Sequence, residues 1–176
     1  MMIAHPPCTY IAACQLWRCQ RDPAREAKRQ ASLELVRDIA GAQVERVCIE
    51  NPKSCIGTEN AAPGFTPQMV QPYQFGHDHS KQTYLWLRDL PELIKNPALF
   101  IAGRDAINNS GNPVKRWANQ CDGSGADKRG PSADRGHKRS RFFQGFADAM
   151  ADQWGGITGA LRAPATGQPI GQLALF

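Results

Sequence analysis

Two short apolar runs, Met1-Met2-Ile3-Ala4 and Val44-Glu45-Arg46-Val47-Cys48-Ile49, flank one long segment whose apolar positions recur at helical spacing. The runs predict buried strands and the segment between them predicts an amphipathic helix. Asp22 supplies an N-cap, Pro23 fits the first helical position, and Gly41 closes the helix after about Ala24 to Ala40. Ala24, Ala27, Ala31, Leu35 and Ile39 form the predicted inward stripe. A strand-helix-strand unit of this length predicts two neighbouring parallel strands. Each run stops at a proline-bearing triplet: Pro6-Pro7-Cys8 after the first, Glu50-Asn51-Pro52 after the second. Pro6 and Pro7 fix two successive φ angles, remove two amide donors and hold His5 extended. A thiol and a carboxylate are thus expected side by side at strand ends, where open α/β sheets hold their ligands.

The remaining pattern is weaker. Tyr10 to Cys19 reads as a loop with a helical turn, and residues 53 to 70 as a loop. Strands are expected over Gln71 to Phe75 and Gln82 to Leu87, bent at Gly76. Leu90 to Phe100 is broken by Pro91 and Pro97 and has no assignment. Residues 103 to 141 are polar and lack periodicity, which predicts a functional loop or disorder. A last helix is expected from Arg141 to Trp154, with Phe142, Phe146, Ala149, Met150 and Trp154 at helical spacing and Gly155-Gly156 as its stop. Thr158 to Phe176 reads as a Gly/Pro/Ala linker that ends in an apolar pentapeptide. No internal repeat is evident.

Composition narrows the class. At 176 residues, 41% hydrophobic and 21% charged, the chain fits one globular domain. No apolar run approaches the roughly 18 residues of a membrane span, and no secretory signal is evident. The net charge is +5, and eight Lys or Arg against three Asp between Lys115 and Arg141 account for it. Six cysteines at irregular spacing, with no CxxC pair, suggest neither a disulfide framework nor zinc. They predict a cytoplasmic protein with five small core thiols and one with chemistry. His77-Asp78-His79 offers two histidines at i, i+2, a spacing more typical of a polar turn than of a metal site. Trp17, Trp86, Trp117 and Trp154 read as core or loop anchors.

The chemistry available to the two triplets is nucleophilic. A thiol beyond a strand end, aimed by a rigid Pro-Pro turn, suits attack on an electrophilic carbon. A glutamate on the adjacent strand can give the complementary proton, and Asn51 can orient it or close backbone bonds around it.

His5-Pro-Pro-Cys8 followed by Glu50-Asn51-Pro52 resembles the paired catalytic motifs of DNA cytosine-5 methyltransferases, especially the divergent phage and prophage branch. Gln71-Pro-Tyr-Gln-Phe-Gly76, Lys81 with Thr83, Leu85-Trp-Leu87, Arg139-Ser140-Arg141 and Ala147-Asp-Ala-Met-Ala-Asp-Gln-Trp154 resemble further segments of that branch. The similarity covers roughly residues 1 to 155, and the order and spacing of short motifs carry it. It implies an α/β, partial Rossmann-like methyltransferase fold built on a parallel sheet. It also implies that Cys8 attacks carbon 6 of a cytosine flipped from double-stranded DNA, a base otherwise out of reach. Glu50 would assist protonation of the ring, with Asn51 beside it, and S-adenosylmethionine would supply the methyl group near Pro6 and Pro7. Arg88 would brace the base, and Lys128, Arg129, Lys138, Arg139 and Arg141 would clamp phosphates. Pro52 departs from the family, which usually has an apolar residue there. Family members also carry a cofactor-binding strand, glycine-rich turn and acidic residue ahead of the cysteine. Their absence before Met1 leaves three expectations open: a truncated chain, a cofactor half supplied by a second chain, or an inactive remnant.

The terminal Gln172-Leu173-Ala174-Leu175-Phe176 resembles the peptide by which bacterial replication and repair proteins dock on the DNA polymerase sliding clamp. Gln172 would make polar contacts, and Leu173, Leu175 and Phe176 would fill apolar pockets at the end of a flexible linker. Two further classes stand beside the methyltransferase. One is a non-catalytic DNA- or clamp-binding remnant; the other is a thiol-dependent base-modifying enzyme that needs no S-adenosylmethionine.

Overall fold

The computed structural model describes residues 1–128 and 142–156. Its body is a mixed four-stranded sheet in the order β1-β2-β4-β3, formed by β1 (Met2–Ala4), β2 (Val47–Pro52), β3 (Thr66–Val70) and β4 (Thr83–Arg88). The helices are α1 (Leu16–Cys19), α2 (Pro23–Gly41) and α3 (Gln144–Trp154). A separate two-stranded hairpin comprises β5 (Arg104–Ile107) and β6 (Pro113–Arg116).

The strand-helix-strand start is present. β1 and β2 run parallel with Ile3 opposite Cys48 and Ala4 opposite Ile49. The expected parallel core is otherwise corrected: β4 pairs antiparallel with both β2 and β3, so the sheet holds one parallel pair. β4 enters between β2 and β3 and runs against both, so β1 and β2 keep the single parallel ladder.

Alternation along β2 distributes its side chains to two cores. Val47 and Ile49 pack with Leu33, Val36 and Ala40 of α2 and with Ile56 and Phe65 beyond β2. Cys48 joins Leu85 and Leu87 of β4 and Phe146, Met150 and Trp154 of α3 on the other side. Helices therefore cover both faces, and β2 is buried along all but its last residue.

At α2 the cap matches expectation: Asp22 Oδ1 accepts from the amides of Ala24 and Arg25 at 3.0 and 3.3 Å. The predicted stripe is out of phase. Ala24, Ala27, Ala31 and Leu35 are exposed, and the buried positions are Leu33, Val36 and Ala40. The inward face begins with charge instead: Arg29 bonds Glu26 at 2.8 and 2.6 Å and reaches Glu59, beyond β2, at 2.6 Å.

Three further expectations are corrected. Thr66–Val70, read as loop, is the edge strand β3; its inward Gln68 makes paired 2.9 Å bonds with the backbone of Leu93. An edge strand tolerates Pro67, which cannot complete a ladder on both sides. Pro72–Phe75, read as strand, is a 3₁₀ turn; Gln74 accepts from the Gln71 amide, and Gly76 ends the turn at φ +85°. Part of the polar stretch from residue 103 is the β5–β6 hairpin. Its loop is built by Asn108, whose side chain accepts from the amides of Ser110 and Asn112 at 2.9 Å.

The hairpin is fastened to the body. Trp117 stacks on Tyr73 at 3.9 Å and donates to the carbonyl of Ile101. Asn119 both accepts from and donates to the backbone of Ser80. Trp154 is fully buried, so it and Trp117 are anchors as read, whereas Trp17 is half exposed beneath Arg18 and Arg21. Of the six cysteines only Cys19, Cys48 and Cys55 are buried, a correction to the expected five; Cys8 and Cys121 are half-buried and Cys14 is exposed. Among the described residues no helix is long and apolar enough to cross a membrane.

Candidate functional site at the ends of β1 and β2

Parallel register brings the two triplets together. Ala4 lies opposite Ile49, so the next residues, His5 and Glu50, emerge side by side, and His5 Nδ1 sits 3.1 Å from Glu50 Oε2. One step on, Asn51 donates from Nδ2 to the carbonyl of Pro6 at 3.1 Å. Asn51 therefore closes a backbone bond to the Pro-Pro turn, one of its two expected roles. Its Oδ1 is buried with no hydrogen-bond partner among the described residues.

Beyond the site the two chain segments are zipped together. The Cys8 carbonyl accepts from Ala12, Ala13 donates to Lys53, and Cys55 donates to Ile11, all at 2.9 to 3.0 Å. Cys8 is thus carried on a turn tied down at both ends, half-buried and close enough to Glu50 to feel its charge.

The antiparallel neighbour adds a cation. Pro52 lies opposite Thr83, so the segment leading into β4 arrives at the same end of the sheet. Thr83 is fully buried and bonds the Lys81 carbonyl at 3.2 Å, and Gln71 holds the Lys81 amide at 3.0 Å. The Lys81 ammonium lies 6.0 Å from the ring centre of Phe143. Phe142, next to it, sets its ring against His5 at 4.6 Å. The start of α3 is held close by Gly145, whose amide donates to His77 Nε2 and where a Cβ would collide with the Phe75 carbonyl.

The Cys8 thiol is held above its ordinary range, with burial the largest cause. Burial pushes its thiol up, the Lys81 ammonium pulls it down, and the Glu50 carboxylate raises it again. Cys48, deeper under Glu50, is pushed up to about 12, chiefly by burial. The site thus holds a nucleophile with one local cation to favour its thiolate, and a nearly buried carboxyl group in contact with an imidazole.

Arg88 is a correction. Its register partner is Val47, three residues from the Leu85–Glu50 rung, roughly 10 Å away along the strand. Its guanidinium donates to the carbonyls of Ala40, Ala42 and Val44 and lies over Phe65. It ends helix α2 and does not reach the site. The cation close to Cys8 is Lys81; its pairing with Thr83 in the sequence was the available signal. Pro6 is buried and Pro7 exposed, and neither has an N–H to offer a cofactor. Lys128 is exposed, with its amide bonded to the Asn119 carbonyl. Arg129, Lys138, Arg139, Arg141, Gln172, Leu173, Leu175 and Phe176 lie outside the described residues.

His77, Asp78 and His79 have structural contacts. His77 accepts from Gly145, Asp78 accepts from Ala118, and His79 packs on Phe143. Among the described residues no cluster of three His, Cys, Asp or Glu is arranged to hold a metal ion. No family model, curated protein or solved structure matches the chain.

Proposed function

We propose that the chain engages a flipped DNA cytosine covalently through Cys8, as the base-activating part of a DNA cytosine-5 methyltransferase with a partial Rossmann-like fold. The observation that carries this reading is the convergence of Cys8, Glu50, Asn51 and Lys81 at one end of the sheet, from three separate segments of the chain.

Cys8 adds to carbon 6 of the ring, and the ring nitrogen, which gains electron density, takes a proton from Glu50. Lys81 favours the thiolate before attack. Asn51 fixes the Pro-Pro turn and with it the direction of the sulfur. Extruding the base from the duplex costs a few kcal/mol, roughly, which phosphate contacts offset. Lys128 and the neighbouring basic residues supply the charge for those contacts.

S-adenosylmethionine is the methyl donor that the family resemblance implies. The described residues at its expected position do not fit it: Pro6 and Pro7 carry no hydrogen-bond donors, and the carboxylate at these strand ends, Glu50, is engaged by His5. Clamp docking by the terminal pentapeptide remains a separate proposal, tested by co-migration with a bacterial clamp before and after deletion of residues 172 to 176.

The test of cytosine engagement uses duplex DNA carrying 2-pyrimidinone in place of cytosine, an electrophile trapped by thiols without any methyl donor. A denaturation-stable protein–DNA adduct mapped to Cys8, absent in Cys8→Ser, is the expected result. DNA binding with no adduct would favour a non-catalytic DNA-binding remnant.

A further inference from the structure

Glu50 has a delivery problem. Its side chain is only 11% exposed, yet it must exchange protons with water to stand protonated before the base arrives and while its own proton sits on the ring. His5 touches it at 3.1 Å and is itself 43% exposed, so the imidazole bridges the buried carboxyl and solvent. The ring is held in that position. Its backbone continues β1 beside β2, the following Pro6 carbonyl is fixed by Asn51, and Phe142 meets the imidazole in a T-shaped contact.

We propose that His5 relays protons between solvent and Glu50 through its two ring nitrogens. As the sulfur–carbon 6 bond forms, the cytosine ring nitrogen accepts the Glu50 proton. The carboxylate then takes the proton from His5 Nδ1, and Nε2 takes one from water. Before the thiolate leaves, Glu50 passes this proton back through His5 to water, and the freed carboxylate takes the ring-nitrogen proton, so no proton is gained or lost over a cycle. His5 acts through Glu50 and is a positioning residue for its proton. This role deepens the cytosine-engaging reading, but the His5–Glu50 pair exists independently of it.

The charged and titratable groups around the pair are Glu50 and Cys48 on β2, Cys8 and Cys14 on the segment after β1, and Lys81 before β4. His77 and His79 contact Phe143, the ring over which Lys81 also lies. Cys8 therefore reports on the pair: when it gains a proton, one negative charge near the sulfur is neutralised.

Two measurements test the relay. The first is the pH dependence of Cys8 alkylation by iodoacetamide, read from the Cys8 peptide so that Cys14 does not interfere. The wild type should show an inflection in addition to that of the thiol itself. His5→Gln, which keeps a donor to Glu50 but cannot titrate, should lose it, and so should Glu50→Gln. An inflection that survives in His5→Gln, or none in the wild type, overturns the relay.

The second is the rate of adduct formation with 2-pyrimidinone DNA. His5→Gln should be slower by about tenfold or more, and added imidazole should restore the rate of His5→Ala. His5→Gln at the wild-type rate would reduce His5 to a structural contact and overturn the proposal. A His5-dependent inflection with no adduct in the wild type would uphold the pair and overturn the cytosine reading instead.

Discussion

Replacing Arg88 with Met should destabilise the fold and leave Cys8 chemistry untouched. Arg88 donates to three carbonyls at the end of α2, those of Ala40, Ala42 and Val44. Ala40 lies in the last turn, whose carbonyls lack amide partners within the helix. Ala42 and Val44 follow it, and Ala42 also accepts from the Val44 amide. The cation complements the negative end of the helix dipole. Hydrogen bonds to charged donors are worth about 1.5–3 kcal/mol each when well buried. The site is half-buried and water can solvate the abandoned carbonyls, so about 1 kcal/mol per bond is the better scale, and Met keeps the packing on Phe65. The expected loss is about 2–3 kcal/mol, corresponding to a fall in melting temperature of roughly 5–10 °C for a chain of this size. Urea unfolding followed by circular dichroism, with iodoacetamide labelling of Cys8 in the folded state, measures both parts. A loss below about 0.5 kcal/mol would refute the capping role. A stable Arg88→Met protein with altered Cys8 labelling would return Arg88 to the site.

Lys81→Met should remove the cation that favours the Cys8 thiolate, raising the thiol further and slowing its alkylation by about three- to tenfold near pH 8; an unchanged rate would show that Lys81 does not act on the sulfur. Cys48 titrates near 12 in the fold against 9.0 in the unfolded chain, so it contributes stability that is complete below pH 9 and lost as pH rises towards 12. At pH 10 the wild type should have lost on the order of 1 kcal/mol from this source. Cys48→Ala should lack that part of the decline, and identical pH profiles would contradict it.

The strand-helix-strand start was legible because its signals are local. Asp22-Pro23 marks a helix start whatever surrounds it, and the two proline-bearing triplets mark strand ends. Crossover length then places Glu50 beside the Pro-Pro-Cys8 turn, as the His5–Glu50 contact bears out. What failed depends on partners distant in sequence. The inward face of α2 opens with Arg29, neutralised by Glu26 and by Glu59 thirty residues away, so hydrophobic periodicity selected the exposed alanines instead. β3 hid because its inward Gln68 is satisfied by Leu93. Arg88 was read as a site cation because antiparallel register, which puts it at the far end of β4 and Lys81 at the near end, is not written in local pattern. The β5–β6 hairpin was missed because polar turn chemistry, Arg104 with Asp122 and Asn108 with its loop amides, stands in for a core.

Covalent attack at carbon 6 makes carbon 5 of the cytosine basic, so its hydrogen exchanges with water even when no methyl donor is present. Tritium release from duplex DNA labelled at cytosine carbon 5 therefore reads the Cys8–Glu50 site directly. Release by the wild type, abolished by Cys8→Ser and strongly reduced by Glu50→Gln, is the expected result. No release above the protein-free rate, or release that persists undiminished in Cys8→Ser, would contradict a cytosine-activating role for these strand ends.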